Sequence, residues 1–184
     1  MAAIREGDKS ALLIVDMQVA VMDETWEESR IIRNAARAVE KARKSGTPVI
    51  WIQQTHKKMV HGGPDWQLVP GLTSRSGDIR LDKQFNSSFE QTALEETLAD
   101  IGVSHIVLAG ALTNWCIRAT AYAALDKGYD LTLIADAHTT GDTDFEDGGT
   151  IKAQHLIHEL NIVMSWLNYP GRINRAISVE DLAF

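Results

Sequence analysis

Apolar positions along this chain change their spacing from segment to segment, and the changes mark out elements. Ala11 to Val15 is an unbroken apolar run that stops at Asp16. A short run of this kind predicts a strand buried on both faces. From Trp26 to Lys44 the apolar residues Ile31, Ile32, Ala35, Ala38, Val39 and Ala42 recur at helical spacing. Ser45-Gly46 closes that helix, and Pro48 precedes a second strand at Val49 to Ile52. His56 to Gly77, interrupted by two prolines and by glycines, reads as an irregular loop. Loops of that length are uncommon unless they cover a site or an interface.

The remaining pattern continues the alternation. Ile79 to Leu81 predicts a short strand running into Asp82-Lys83, and Phe89 to Ala99 a helix. His105 to Ala109 predicts a buried strand, Thr113 to Lys127 a helix ended by Gly128, and Asp130 to Ala135 a fifth strand stopping at Asp136. Ile151, His155, Leu156, Leu160, Val163, Met164 and Leu167 share one helical face, and Arg172 to Ile177 predicts a last strand after the Asn168-Tyr169-Pro170-Gly171 turn. Strands alternating with helices give βαβ units. The expected fold is α/β, a three-layer, doubly wound, mostly parallel six-stranded sheet with helices on both faces. No linker or repeat divides the chain, so a single domain over 1–184 is expected.

Composition narrows the function. The 184 residues are 45% hydrophobic and 23% charged, near the globular average. No apolar run approaches the ~20 residues of a membrane span, and Met1 to Lys9 lack the apolar core of a signal peptide. Eighteen basic against twenty-five acidic residues give a net charge of −7. That balance argues against a nucleic-acid partner. The lone cysteine excludes an internal disulfide and points to a reducing, cytoplasmic compartment. A small molecule is the expected partner.

In doubly wound folds ligands bind beyond the carboxyl ends of the strands. That rule selects Asp16, Gln53-Gln54, Asp82-Lys83, Gly110 to Cys116, and Asp136 to Thr140. Cys116 follows a strand by a short turn and opens a helix, where free N–H groups and the helix dipole would lower a thiol pKa and hold an oxyanion. A free cysteine is more often a small buried hydrophobe. Asp16 ends an apolar strand, where a carboxylate is costly unless paired or working, although an Asp can also cap the following loop. Lys83 ends another strand and could be its partner, or a solvated lysine. His155 and His158 stand three apart on one helix, a spacing that can bind metal, but without an evident third ligand.

Four stretches now resemble a known family. They are Leu12 to Gln18 (LLIVDMQ), Asp82 to Phe89 (DKQFNSSF), Gly110 to Cys116 (GALTNWC) and Leu133 to Ala137 (LIADA). In this order they resemble the isochorismatase-like cysteine hydrolase superfamily, which includes nicotinamidases, N-carbamoylsarcosine amidase and streptothricin hydrolase. The resemblance implies a catalytic triad of Asp16, Lys83 and Cys116. It also implies a cis peptide between Ala111 and Leu112, and an oxyanion hole from the N–H groups of Leu112 and Cys116. It implies a dimer or larger homo-oligomer.

The departures from the family pattern matter as much. Nicotinamidases hold a metal with an Asp and histidines after the second strand. Here Gln54 stands at the Asp position, with His56 and His61 nearby. A neutral amide is a poor ligand for a divalent ion, so no metal and no cofactor are expected. Cys116 argues against the vinyl-ether chemistry of true isochorismatases, which generally lack it. The expected activity is hydrolysis of an amide, carbamoyl or lactam C–N bond through a thioester, in the streptothricin-hydrolase-like branch. Gln54, Phe89, Trp115 and His138 are the candidate substrate contacts. A non-catalytic or redox-sensing protein, or a metal-dependent nicotinamidase-type amidase, is the competing reading.

Overall fold

The computed structural model describes residues 5–184; the first four residues of the stretch read above for a signal peptide lie outside it. Its elements are β1 (Lys9–Val15), α1 (Val19–Met22), α2 (Glu28–Ser45), β2 (Val49–Gln54), β3 (Ile79–Lys83), α3 (Leu94–Asp100) and β4 (Val103–Ala111). A π-helical turn (Thr113–Ile117) then runs into α4 (Arg118–Asp126). There follow β5 (Asp130–Thr139), the short pair β6 (Thr143–Asp144) and β7 (Thr150–Ile151), α5 (Ala153–Trp166) and β8 (Asn174–Ile177). Six strands form one sheet in the order β3-β2-β1-β4-β5-β8, and every neighbouring pair is parallel.

Alternation along the strands builds two cores. Leu13 and Val15 of β1 face α3, α4 and α5, packing with Leu98, Ala121, Leu125, Leu160 and Met164. Leu12 and Ile14 face α2, packing with Ile31, Ala35, Ala38 and Val39. The sheet is therefore covered on both sides, which explains why its strands read as apolar runs. The tail beyond β8, too short to interpret from sequence, adds Val179 and Leu182 to the α2 side.

Three predicted elements shift, each for a local reason. The helix expected from Phe89 starts only at Leu94. Gln91 takes a left-handed φ of 52°, and the Ser88 N–H donates to Thr120 Oγ1 at 3.0 Å instead of entering a helix. The strand expected to stop at Ala135 continues to Thr139 after a bulge: Leu108 pairs with Leu133, whereas Gly110 already pairs with His138. The loop after β2 is packed rather than splayed. Met59, Trp66, Val69 and Leu72 are buried, and the side-chain amides of Gln18 and Gln53 donate to the Trp66 carbonyl at 3.0 and 2.9 Å.

The chain reverses its direction of winding between β1 and β4, which lie side by side in the middle of the sheet. A crevice at such a point, outside the carboxyl ends of the strands, is where ligands bind in this architecture. Among the described residues, no helix is long and apolar enough to cross a membrane.

Candidate active site

Asp16 is the first residue beyond β1, and its chain turns there with φ 52°. Its amide N–H still donates to Ile52 of β2 at 2.8 Å, while its own carbonyl accepts from Gln18 at 2.8 Å. The turn leaves the carboxylate at the end of the sheet with 1% of its surface exposed. Lys83 closes β3, two strands away, which is roughly 10 Å between backbones at ordinary strand spacing. Only a long side chain crosses that gap. Its ammonium passes over β2 and stands 2.7 Å from Asp16 Oδ2.

The third group arrives from the other side of β1. Gly110, near the end of β4, has φ 133°, and a Cβ there would sit 2.0 Å from the Val15 carbonyl oxygen. Only glycine permits that approach. The Ala111–Leu112 peptide is cis, and the Leu112 carbonyl accepts from both Trp115 and Ile117 at 3.1 Å. This wide turn carries Cys116, whose Sγ lies 3.2 Å from Lys83 Nζ. Lys83 also donates to Gln54 Oε1 at 2.6 Å and to the Phe85 carbonyl at 3.1 Å. Its buried charge is thus surrounded by acceptors, as a buried ammonium requires.

The electrostatics depart from the sequence-based expectation. A helix start was expected to lower the thiol pKa. Instead burial, followed by the negative charge of Asp16, pushes Cys116 up to about 12. Burial likewise raises the Asp16 carboxyl above its ordinary range, and the Lys83 charge only partly opposes the rise. Desolvation outweighs the opposite charge in both cases. Both Asp16 oxygens lack an aligned hydrogen-bond donor, so the Lys83 contact is an ion contact rather than a directed bond. The result is a thiol held protonated beside a carboxyl group of strengthened basicity.

The four candidate substrate contacts separate. Gln54 is spent on Lys83 through its side-chain oxygen. Trp115, beside the cysteine, is 54% exposed and free to meet a ligand. Phe89 lies away from the cluster: its ring stacks on Tyr129, 5.8 Å away, next to the amino end of β5. His138 is enclosed. It has no accessible surface, and both ring nitrogens are engaged, Nδ1 with Thr113 Oγ1 and Nε2 with Asn161 Oδ1, each at 2.9 Å.

Two further groups hold the site. Gln18 accepts the Gln54 N–H at 2.7 Å and returns its own amide to the Gln54 carbonyl at 3.1 Å, clamping β2 beside Asp16. Asn161 of α5 has no signal in the sequence that would single it out, because its partners lie 23 and 26 positions away. The nicotinamidase-type metal position does not fit these residues. Gln54 is turned onto Lys83, His56 Nδ1 accepts the Lys58 N–H, and His61 Nδ1 is bound to Asp82 Oδ2 at 2.5 Å. Among the described residues, no three His, Cys, Asp or Glu side chains converge to hold an ion.

Residues 10–166 match the model of the isochorismatase domain. The chain belongs to the isochorismatase family of hydrolases. It is 31% identical over 148 residues to streptothricin hydrolase of Streptomyces noursei, which covers 77% of this chain and 58% of that protein. The chain thus spans little more than half the length of this relative. It is 25% identical to the ureidoacrylate amidohydrolase RutB of Cronobacter sakazakii, with 96% of this chain and 91% of that one aligned. Its fold superposes on the crystal structure of an isochorismatase from Pseudomonas putida with a TM-score of 0.83 at 27% identity, covering 99% of this chain and 94% of the other. The isochorismatase-family fold is therefore the frame in which the Asp16–Lys83–Cys116 cluster sits.

Proposed function

We propose that this family member is a cysteine amidohydrolase that cleaves the C–N bond of a small amide, carbamoyl compound or lactam through a thioester on Cys116. The observation that carries the reading is the position of Lys83 Nζ, 2.7 Å from Asp16 Oδ2 and 3.2 Å from Cys116 Sγ. The names of the relatives, streptothricin hydrolase and ureidoacrylate amidohydrolase, support the reaction class.

Asp16 takes the thiol proton as Sγ attacks the carbonyl carbon. A base is required because the thiol is protonated at rest. Lys83 stabilises the developing thiolate from one side and keeps the carboxylate in place on the other. The N–H groups of Leu112 and Cys116 receive the oxyanion. Protonated Asp16 then delivers its proton to the departing amine, the C–N bond breaks, and the thioester remains. Water attacks the thioester with Asp16 again as base, releasing the acid and restoring the thiol.

Trp115 forms an exposed aromatic wall for the substrate, and the partner is a small molecule rather than nucleic acid. The single free cysteine suits a cytoplasmic setting. Assembly into a dimer or tetramer belongs to the same proposal. Trp166 at the end of α5 is 80% exposed and offers apolar surface for it.

The test is a screen across primary amides, carbamoyl compounds and lactams, followed by intact-mass analysis of the enzyme during turnover. An acyl adduct on Cys116, and loss of turnover in Cys116→Ala, are expected. Wild-type rates in Cys116→Ala would overturn the covalent mechanism.

A further inference from the structure

His138 is buried between three elements, and its protonation state can be read from its neighbours. Asn161 Nδ2 donates to the Ala135 carbonyl at 2.9 Å. A carbonyl only accepts, so the amide orientation of Asn161 is set, and its Oδ1 faces His138 Nε2 at 2.9 Å. That oxygen also only accepts. His138 Nε2 therefore carries the proton, and Nδ1 is left as an acceptor. The group within reach of Nδ1 is the Thr113 hydroxyl, at 2.9 Å, which must donate.

Thr113 is the first residue of the π turn that carries Cys116. The next residue of the same turn is held in parallel, because the Thr140 hydroxyl donates to Asn114 Oδ1 at 2.7 Å. Thr139 between them donates to the Trp26 carbonyl at 2.7 Å and ties the end of β5 to the segment that precedes α2. The end of β5 and the residue after it are thus hydrogen-bonded to the nucleophile's turn at two points. Burial also keeps the imidazole neutral, with its pKa lowered to about 4.

We infer that His138 is a positioning residue for the nucleophile: a neutral imidazole, oriented by Asn161, that fixes the Cys116 turn through the Thr113 hydroxyl. The inference rests on the proposed hydrolase reading for its kinetic consequences but not for its geometry. The hydrogen bond from Thr113 sets where the turn begins, and the turn sets where Sγ stands relative to Lys83 and Asp16. Misplacement of reacting groups by about 1 Å is enough to cost on the order of a hundredfold in rate.

Two substitutions of one residue separate positioning from mere packing. His138→Asn places an amide oxygen where Nδ1 stands, so it keeps the Thr113 bond and loses the one to Asn161. His138→Gln reaches the Nε2 position instead, so it keeps Asn161 and loses Thr113. Each variant loses one hydrogen bond and should melt at a similarly lowered temperature. The expected result is that His138→Gln lowers kcat about tenfold or more with KM changed less than about twofold, while His138→Asn stays within about threefold of wild type.

The rate of Cys116 alkylation by iodoacetamide at fixed pH should follow the same order. It needs no substrate and so tests the inference even if no amide is turned over. Thr113→Val, which deletes only the donor, should match His138→Gln, and the Thr113→Val/His138→Gln pair should be no worse than either alone. Equal losses in the Asn and Gln variants, or multiplying losses in the pair, would overturn the positioning role. Failure of every amide to react, with the alkylation order intact, would count against the proposed reaction and leave the positioning role standing.

Discussion

Lys83 Nζ lies 3.2 Å from Cys116 Sγ, although the strands leading to the two residues, β3 and β4, are separated in the sheet by β2 and β1. The ammonium crosses that distance beneath a shell of acceptors, Asp16, Gln54 and the Phe85 carbonyl, with 2% of the residue exposed. An ion pair buried this deeply is weak evidence for stability, because desolvation offsets the attraction. The pair stands beside the chain's one thiol, and the proposed mechanism rests on that placement.

Lys83→Met removes one member of that pair and leaves Asp16 buried without a counter-charge. The folded state should lose about 3–5 kcal/mol, the usual cost of breaking a buried pair. Adding Asp16→Asn should restore most of the loss without restoring turnover. Denaturant melts of the single and double variants, with activity measured alongside, check both halves.

Asp16→Asn alone separates the two effects of that carboxylate on the thiol. Its negative charge helps raise the Cys116 pKa, while its oxygen is the proposed proton acceptor. Removing the charge with Lys83 still in place should bring the pKa down from about 12. The midpoint of iodoacetamide alkylation against pH should therefore move to lower pH while amide turnover is lost. An upward shift would mean that the two groups do not face each other in solution.

The pH dependence of stability carries a signature of His138. Its pKa falls from 6.5 to about 4 on folding, mainly through burial. The groups facing it are the Thr113 hydroxyl, the Asn161 amide and, on its own strand, the Asp136 carboxylate, which accepts the Val179 N–H at 2.7 Å. Between those pH values the unfolded chain binds the extra proton, so stability falls as pH drops from about 6.5 towards 4. The full effect is about 3 kcal/mol, at 1.36 kcal/mol per unit. His138→Asn should flatten this part of the profile, as measured by urea unfolding across that range. The raised Asp16 carboxyl acts with the opposite sign in both proteins and cancels in the comparison.

Gly110→Ala tests the crowded end of β4. The added Cβ would stand 2.0 Å from the Val15 carbonyl oxygen at a φ of 133°. Neither the strand pairing nor the turn can yield without moving Asp16 or Cys116. A loss of about 3 kcal/mol or more is expected, at the upper end for a single substitution. Gly46→Ala provides the control, because nothing lies within 4 Å of a Cβ there. It should cost less, only the strain of its left-handed backbone, and thermal melts of the two variants give the comparison.

Much of this was legible from one sequence because buried parallel strands write continuous apolar runs, and a residue that ends such a run is exposed to notice. Asp16 after Val15 is visible on that ground, Lys83 as the end of the short alternating stretch from Ile79, and Cys116 on its place after a glycine turn. The placement of two other candidates was not legible. Phe89 ends a family motif, yet its ring stacks on Tyr129 next to the amino end of β5. His138 follows a strand end in sequence, but the β5 bulge carries the strand past the edge and folds the ring inward. Neither periodicity nor spacing encodes a bulge.

By itself the sequence determined the alternation of strands and helices, and with it the parallel sheet and the edge where chemistry belongs, because those follow from burial patterns within each segment. Only the tertiary structure decided the electrostatics of the thiol and the surroundings of the histidine. The Cys116 pKa depends on how deeply the sulfur is enclosed and on which charge lies beside it, and the His138 tautomer depends on an asparagine from α5. These are distances between residues far apart in the chain, and no local pattern records them.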